Sequence, residues 1–125
     1  MTVVDTSALI GSLTGPKRLA PKLRRLIESR ERILLPSLVL YEWLRGPRIP
    51  EELAAQEDLF PIENVIPYGS QEAAVSAELY RALPRPRGRE MDLAIAACAI
   101  VREAQLWTLN QADFADIPGL QLISA

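Results

Sequence analysis

The sequence predicts a three-layer α/β sandwich, with a mainly parallel central sheet flanked by helices. Short apolar strands alternate with longer helical patterns along the chain, and this alternation is typical of parallel sheets. The opening strand at 2–4 shows no alternation of polar and apolar residues, as expected for a central strand buried on both faces. With 125 residues, of which 49% are hydrophobic, the chain has material for one core, and we expect a single domain over 1–125.

The strands are predicted where β-branched or apolar residues cluster next to a turn signal. Thr2-Val3-Val4 ends at Asp5, and Ile33-Leu34-Leu35 is closed by Pro36. Val65-Ile66 lies between turn signals, and Leu106-Trp107-Thr108-Leu109 ends at Asn110. In chain order the predicted strands are 2–4, 33–35, 62–66, 106–109 and 120–123.

The helices are predicted from apolar residues at helical spacing together with start and stop signals. Thr6-Ser7 opens a turn or helix after the first strand. Ser37 is the N-cap candidate of a helix that stops at Gly46-Pro47. Residues 90–104 are apolar nearly all round, which indicates a buried helix. In chain order the predicted helices are 17–30, 37–45, 51–59, 70–83 and 90–104, with a helical turn at 112–115.

The residue types that are missing narrow the possible chemistry. The chain has no histidine and one cysteine, Cys98. This excludes Ser-His-Asp and Cys-His catalysis, His-ligated metals, disulfides and iron–sulfur clusters. Catalysis therefore requires carboxylates, hydroxyls, Lys or Arg, or a hard metal ion bound by oxygen. The formal charge of −2 favours no class of partner by itself.

Neither a membrane span nor a signal peptide is predicted. No apolar run reaches the roughly 18 residues that cross a bilayer. Residues 1–5 contain neither a basic region nor a long apolar region. We therefore expect a cytoplasmic protein without a membrane partner.

Four carboxylates lie in apolar surroundings: Asp5, Glu42, Asp92 and Asp113. Each has an ordinary structural explanation. Asp5 could form an Asx turn or N-cap, and Glu42 could pair with Arg45. Asp92 could offset the helix dipole, and Asp113 could cap a turn. Burying unpaired carboxylates is costly, so four of them in one small domain suggest a shared compensation. A divalent metal, Mg²⁺ or Mn²⁺, is the simplest one. The other helical acids, Glu72 among them, are assigned to solvated faces.

Around these carboxylates the chain resembles a PIN domain of the VapC type, the ribonuclease toxin of bacterial toxin–antitoxin pairs. The resemblance rests on four segments in family order that run over nearly the whole chain. They are Val3-Val4-Asp5-Thr6-Ser7-Ala8-Leu9-Ile10, Leu35-Pro36-Ser37-Leu38-Val39-Leu40-Tyr41-Glu42, Asp92-Leu93-Ala94-Ile95-Ala96-Ala97-Cys98-Ala99, and Leu106-Trp107-Thr108-Leu109-Asn110-Gln111-Ala112-Asp113-Phe114. Where many PIN domains have an acid directly after the last of these strands, this chain has Asn110, and the acidic role is carried to Asp113.

The resemblance implies a PIN-like fold and metal-dependent cleavage of RNA, inhibited by a VapB-like antitoxin, in a homodimeric protein. Asp5 and Asp92 would bind Mg²⁺ or Mn²⁺ directly. Glu42 and Asp113 would bind a second ion or position the attacking water. Positioning roles fall to three further residues that flank the acids: Thr6, Thr108 and Asn110.

Two basic stretches are candidates for holding RNA. Residues 17–32 contain seven basic and two acidic side chains, although a solvated helix face explains them equally well. The loop before Asp92 is the better candidate because it leads directly into the acidic helix. Its tentative RNA contacts are Arg85, Arg87 and Arg89.

Four other functions were weighed. A receiver domain needs paired acids after the first strand and a late lysine, and this chain has neither. A haloacid-dehalogenase-type phosphatase needs a second acid where this chain has Ser7. The sequence therefore disfavours both functions. An inactive PIN-like module could bind a partner helix around Trp43, although ordinary core explains that segment better. An RNA-processing PIN nuclease without an antitoxin stays open.

Overall fold

The computed structural model describes residues 1–123, which fold into four strands and six α-helices. The strands are β1 (Thr2–Val4), β2 (Ile33–Leu34), β3 (Gln105–Trp107) and β4 (Gln121–Leu122). The helices are α1 (Thr6–Leu13), α2 (Ala20–Glu28), α3 (Ser37–Arg45), α4 (Pro50–Leu59), α5 (Ser70–Ala82) and α6 (Glu90–Val101). Short 3₁₀ helices lie at Ile62–Asn64 and Gln111–Asp113. This confirms the predicted α/β class.

The sheet is parallel throughout, with the strand order β2-β1-β3-β4. Val3 of β1 lies between Leu34 on one side and Leu106 on the other. Because β1 is central, all three of its residues are buried, as its unbroken apolar pattern predicts. From β1 the chain continues to β2 on one side, and it later returns as β3 on the other side. A crevice therefore forms at the carboxyl ends of β1 and β3, where α/β proteins bind ligands.

Helix α6 forms the centre of the core, packed against α5, α3, β1 and β3. Ile95, Ala96, Ala97 and Ala99 are fully buried. The small alanine side chains allow the helix to approach the sheet closely, and the buried surface confirms the prediction from its all-round apolar pattern. The start of α6 therefore lies at a fixed place beside the crevice.

The predicted strand at 62–66 is wrong. Its first half is the 3₁₀ helix Ile62–Asn64, and its second half makes a single parallel bridge between Ile66 and Pro36. Pro36 and Pro67 have no backbone N–H, so the ladder cannot extend beyond that bridge.

Several predicted helix ends also differ from the structure. Helix α2 is shorter than 17–30, because Lys17 and Arg30 adopt positive φ angles of 54° and 63°. Helix α6 stops before Glu103, which has a φ of 55°. Ser37 is the first helical residue and not the cap, since Pro36 occupies the N-cap position of α3.

Glu72 is buried and does not belong to a solvated face. Only 5% of it is exposed. Its carboxylate accepts hydrogen bonds from the Gly69 N–H at 3.0 Å and from Arg102 Nη1 at 2.8 Å. Burial alone would raise the pKa of Glu72, but backbone N–H groups and Arg102 outweigh it and lower the pKa. The pair joins α5 to the C-terminal end of α6.

Candidate active site

The candidate site lies in the crevice at the carboxyl ends of β1 and β3. Asp5 follows β1, and its N–H donates to the Trp107 carbonyl at the end of β3 at 2.9 Å. The residue is 4% exposed. It occupies the N-cap position of α1, yet its side chain makes no capping hydrogen bond. The carboxylate of Asp5 is therefore not consumed by helix capping.

Two hydroxyls fix the orientation of the Asp5 carboxylate. Thr108 Oγ1 donates to Asp5 Oδ2 at 2.7 Å, and Ser7 Oγ donates to the same oxygen at 3.1 Å. Ser7 Oγ in turn accepts the Leu109 N–H at 2.9 Å. Among residues 1–123, no group donates a hydrogen bond to Oδ1. Asp5 thus presents one fixed oxygen and one available oxygen.

Thr108, a predicted positioning residue, contacts Asp5, and so does Ser7, which is not among the predicted site residues. Ser7 connects the ends of β1 and β3, since its hydroxyl donates to Asp5 and accepts the Leu109 N–H, and it lies 3.1 Å from Thr108 Oγ1. The Asp5-Thr6-Ser7 run was the available signal, but it does not show which hydroxyl turns towards which carboxylate.

Glu42 reaches the site from the middle of α3. Thr6 Oγ1 donates to Glu42 Oε1 at 2.5 Å, which joins the start of α1 to α3. Arg45 Nη2 approaches Glu42 Oε2 at 3.4 Å, and Cζ of the same guanidinium lies 5.2 Å from the centre of the Tyr41 ring. The structure therefore contains a Thr6 contact, which the sequence did not assign to Glu42, and the ordinary Arg45 pair, which is the longer of the two.

Asp92 lies in the first turn of α6 and faces the other three carboxylates. Burial, followed by the negative charges of Asp5, Asp113 and Glu42, raises the pKa of Asp92 from 3.8 to about 6. The four predicted acids are therefore close enough to interact electrostatically. At neutral pH they concentrate negative charge that a divalent cation would offset.

Asp113 lies at the edge of the candidate site, in the loop that follows β3. It ends the 3₁₀ helix Gln111–Asp113, and its N–H donates to the Asn110 carbonyl at 2.9 Å. Unlike Asp5, Asp113 is exposed, although Phe114 beside it is buried. Asn110 occupies the N-cap position of that 3₁₀ helix without a side-chain capping bond. The side-chain amide of Asn110 therefore makes no capping hydrogen bond in this loop.

Arg89 is tied to this loop and is not a free RNA contact. Its guanidinium makes two hydrogen bonds to the Asp116 carboxylate, at 2.7 and 3.0 Å, and a third to the Asp113 carbonyl at 2.9 Å. The three bonds connect the N-terminal end of α6 to the Asp113 loop. Arg85 and Arg87 are exposed, as the predicted RNA contacts require.

The side chains fit a hard divalent ion by donor type. All four are carboxylates, which suit Mg²⁺ or Mn²⁺. Within residues 1–123, however, no three acidic or cysteine side chains already converge on one point as metal ligands. Binding an ion would therefore draw the carboxylates inward from their present positions.

Trp43, weighed above as part of a partner groove, is fully buried, so the core interpretation holds. In residues 1–123, no helix is both long enough and apolar enough to cross a membrane.

Comparison with known proteins identifies the family. The family model described as PIN domain matches residues 2–120. The chain is 33% identical to Ribonuclease VapC19 of Mycobacterium tuberculosis, over 97% of this chain and 98% of that protein. PIN-domain ribonucleases are in general dependent on divalent metals.

Solved structures give the same result. The DNA-bound VapBC structure from Salmonella typhimurium matches with a TM-score of 0.77 at 25% identity, over 98% of this chain and 96% of that one. VapBC2 from Rickettsia felis, bound to a promoter DNA fragment, matches with a TM-score of 0.72 at 23% identity, with the same coverage. The chain therefore belongs to the PIN domain family and, within it, to the VapC type.

Proposed function

We propose that this protein is a metal-dependent endoribonuclease, the toxin of a VapBC toxin–antitoxin pair, acting in the cytoplasm as a single domain. The observation that carries the proposal is that Asp5, Asp113 and Glu42, besides burial, raise the pKa of Asp92, so that four acids share the region at the carboxyl ends of β1 and β3. Such a group is costly to keep in a small fold unless a cation offsets its negative charge. The 33% identity to a protein named as a ribonuclease supports the same activity.

In this proposal Asp5 and Asp92 bind the ion, which is Mg²⁺ or Mn²⁺. When bound, the ion supplies Lewis-acid stabilisation of the charge that develops on the phosphate oxygens. The hydroxyls of Thr108 and Ser7 hold Oδ2 of Asp5, so that Oδ1 stays directed for binding. Glu42 and Asp113 accept hydrogen bonds from the attacking water or bind a second ion.

Four other side chains would hold the RNA or orient the site. Thr6 fixes Glu42 Oε1 through its 2.5 Å hydrogen bond. The Asn110 amide, which caps nothing in its own loop, would donate to a phosphate oxygen. Arg85 and Arg87 are exposed just before α6 and would contact the phosphate backbone.

We also propose that a VapB-like antitoxin binds and inhibits the protein and that the protein forms a homodimer. Two of the similar structures are VapBC complexes. On α3 the side chains of Tyr41 and Leu44 are 55% and 52% exposed, on the same helix as Glu42. Large apolar side chains exposed together are typical of a protein interface.

The test is cleavage of total RNA by antitoxin-free protein with Mg²⁺, with Mn²⁺ and with EDTA. Asp5→Asn should abolish cleavage without unfolding the protein, because it changes charge with little change in volume. Asp58→Asn, which removes an exposed carboxylate from α4, is the matched control and should cut normally. Normal cleavage by Asp5→Asn, or cleavage that survives EDTA, would contradict the metal assignment.

A folded wild-type protein that cuts no RNA under any metal would favour the inactive interaction module instead. Cleavage that a purified VapB-like protein does not inhibit would favour an RNA-processing nuclease. RNA cleavage and its inhibition by the VapB-like protein therefore distinguish the toxin, the inactive module and the RNA-processing nuclease with one preparation of the protein.

A further inference from the structure

A cavity of about 500 Å³ lies beside the carboxylate site and belongs to none of the roles assigned above. It lies between the end of α1 and the loop after β3, and its walls include Pro16, Leu19 and Leu109. Its size is within the roughly 300–1,000 Å³ of typical small-molecule sites.

Gly11 gives the cavity its shape. A Cβ atom at this position would lie 3.0 Å from Leu19 Cδ1 and 3.5 Å from Leu109 Cδ1. The missing side chain therefore lets Leu19 approach the surface of α1 closely, whereas Leu109 would be at ordinary van der Waals distance from the added atom. The backbone reinforces this arrangement, because the Leu19 N–H donates to the Gly11 carbonyl at 3.0 Å.

One wall of the cavity is connected directly to the catalytic acids. Leu109 follows Thr108, which donates to Asp5, and the Leu109 N–H donates to Ser7 Oγ at 2.9 Å. Ser7 also donates to Asp5 Oδ2. The Leu109 side chain is nevertheless 54% exposed. A large apolar side chain is therefore exposed to solvent next to the candidate active site.

The charge at the cavity is positive. Arg18 lines it, and Lys17 precedes Arg18 in the chain. Within the described residues, the Arg18 side chain makes no ion pair or hydrogen bond. No carboxylate is among the residues that line the cavity. Apolar walls with one free guanidinium suit a flat ring attached to a phosphate, because arginine both stacks on bases and contacts phosphate.

We propose that this cavity binds one nucleobase of the RNA, close to the bond that is cut, and so sets the base preference of cleavage. The proposal rests on the ribonuclease function proposed above. In it, the base lies against Leu109 and Leu19, and the Arg18 guanidinium stacks on the base or contacts its phosphate. Leu109 and Arg18 are thus specificity residues, whereas Ser7 keeps Leu109 in register with Asp5.

The test uses a defined RNA oligonucleotide that the wild-type protein cuts at a mapped bond. Each nucleotide flanking that bond is replaced in turn by an abasic nucleotide. We expect one position at which removal of the base lowers kcat/KM about tenfold or more, as is typical when a stacked base is lost. Leu109→Ala should produce a loss of similar size on the intact oligonucleotide and little further loss on that abasic one.

Two more variants probe the cavity, and a third is the control. Gly11→Ala adds a methyl group that displaces Leu19 while leaving every carboxylate in place, and alanine is a better helix former than glycine. Arg18→Gln removes the guanidinium. Both should weaken the preference at the same nucleotide. Leu53→Ala removes an exposed leucine from α4, a helix with no assigned part in catalysis or binding, and its kcat/KM should equal that of the wild type.

Several results would overturn the proposal. Leu109→Ala could lose activity equally on intact and abasic RNA, which would make it a merely structural residue. Base removal could matter at no position. The cavity variants could cut with unchanged preference but escape the antitoxin, which would assign the cavity to that protein. A wild-type protein that cuts no RNA overturns the proposed function itself, and this outcome is visible before any variant is compared.

Discussion

Replacing Asp92 by asparagine keeps the size of the side chain and removes its charge. In the metal-free protein, we expect this change to stabilise the fold at neutral pH while it abolishes RNA cleavage. The reason is that burial and the charges of Asp5, Asp113 and Glu42 raise the pKa of Asp92 to about 6, so its ionised form is unfavourable in the fold.

The magnitude follows from the two pKa values. A carboxyl whose pKa is 3.8 unfolded and about 6 folded destabilises the fold by at most about 3 kcal/mol once it is fully ionised. Because Asp92 is only partly buried, solvent screening reduces this to about 1–2 kcal/mol. For a chain of 125 residues, that corresponds to a rise in Tm of roughly 4–8 °C.

The pH dependence has a definite sign. Between pH 3.8 and about 6 the folded protein binds more protons at Asp92 than the unfolded chain does. The free energy of unfolding of the wild type therefore falls as pH rises through this window, relative to Asp92→Asn. The advantage of the variant should be full above pH 7 and should shrink to about a third at pH 4.5.

The assay is urea unfolding in EDTA at pH 7.5 and pH 4.5, followed by circular dichroism. Asp58→Asn, on the exposed side of α4, is the matched control and should change stability by less than about 0.5 kcal/mol. An Asp92→Asn variant no more stable than the wild type at pH 7.5 would refute the reasoning. An advantage that is the same at both pH values would refute it as well, since the effect would then not come from ionisation.

Three further predictions concern the loop after β3 and the core. Asp113→Ala should lower metal-dependent cleavage by roughly tenfold or more, and Asn110→Ala by less, in the same RNA assay. Arg89→Gln, which frees the Asp113 loop, should raise the Mn²⁺ concentration that gives half-maximal cleavage, whereas Arg87→Gln should leave it nearly unchanged. Burial raises the pKa of Cys98 to about 11, so a thiol reagent at pH 8 should label it only at the rate of unfolding.

The parts of the fold that were predicted correctly have strong local signals. Helix α3 begins and ends where its apolar spacing, Pro36 and Gly46 indicate. Strand β1 and the buried helix α6 follow from unbroken apolar patterns. The strand prediction at 62–66 is wrong because a run such as Val65-Ile66 shows β propensity, but it does not show whether the neighbouring backbone can supply the N–H groups that a ladder needs.

The candidate site was predicted less completely, because its contacts join distant parts of the chain. Ser7 and Thr108 are 101 residues apart, and Arg89 and Asp116 are 27 apart. Local periodicity carries no information on such contacts. The acids themselves were found because a carboxylate in an apolar segment is unusual in any fold.

The position of Asp92 depends on how α6 is held at its two ends. At the N-terminal end, Arg89 bonds to Asp116 and to the Asp113 loop. At the C-terminal end, Arg102 pairs with Glu72, whose side chain is 7% exposed. Breaking a buried pair of this kind costs about 3–5 kcal/mol, which exceeds the roughly 1–2 kcal/mol by which ionised Asp92 destabilises the fold.

These contacts explain how a small domain keeps Asp92 close to the three other carboxylates although their charges raise its pKa. Repulsion would be relieved most easily if α6 slid away from β1, since Asp92 is on the helix and Asp5 follows the strand. The two end contacts and the fully buried alanines between them oppose that movement. Burial and the charges of the other acids therefore keep the pKa of Asp92 raised, because the backbone cannot relax to relieve them, and in the proposed function this holds the four carboxylates in place for a divalent ion.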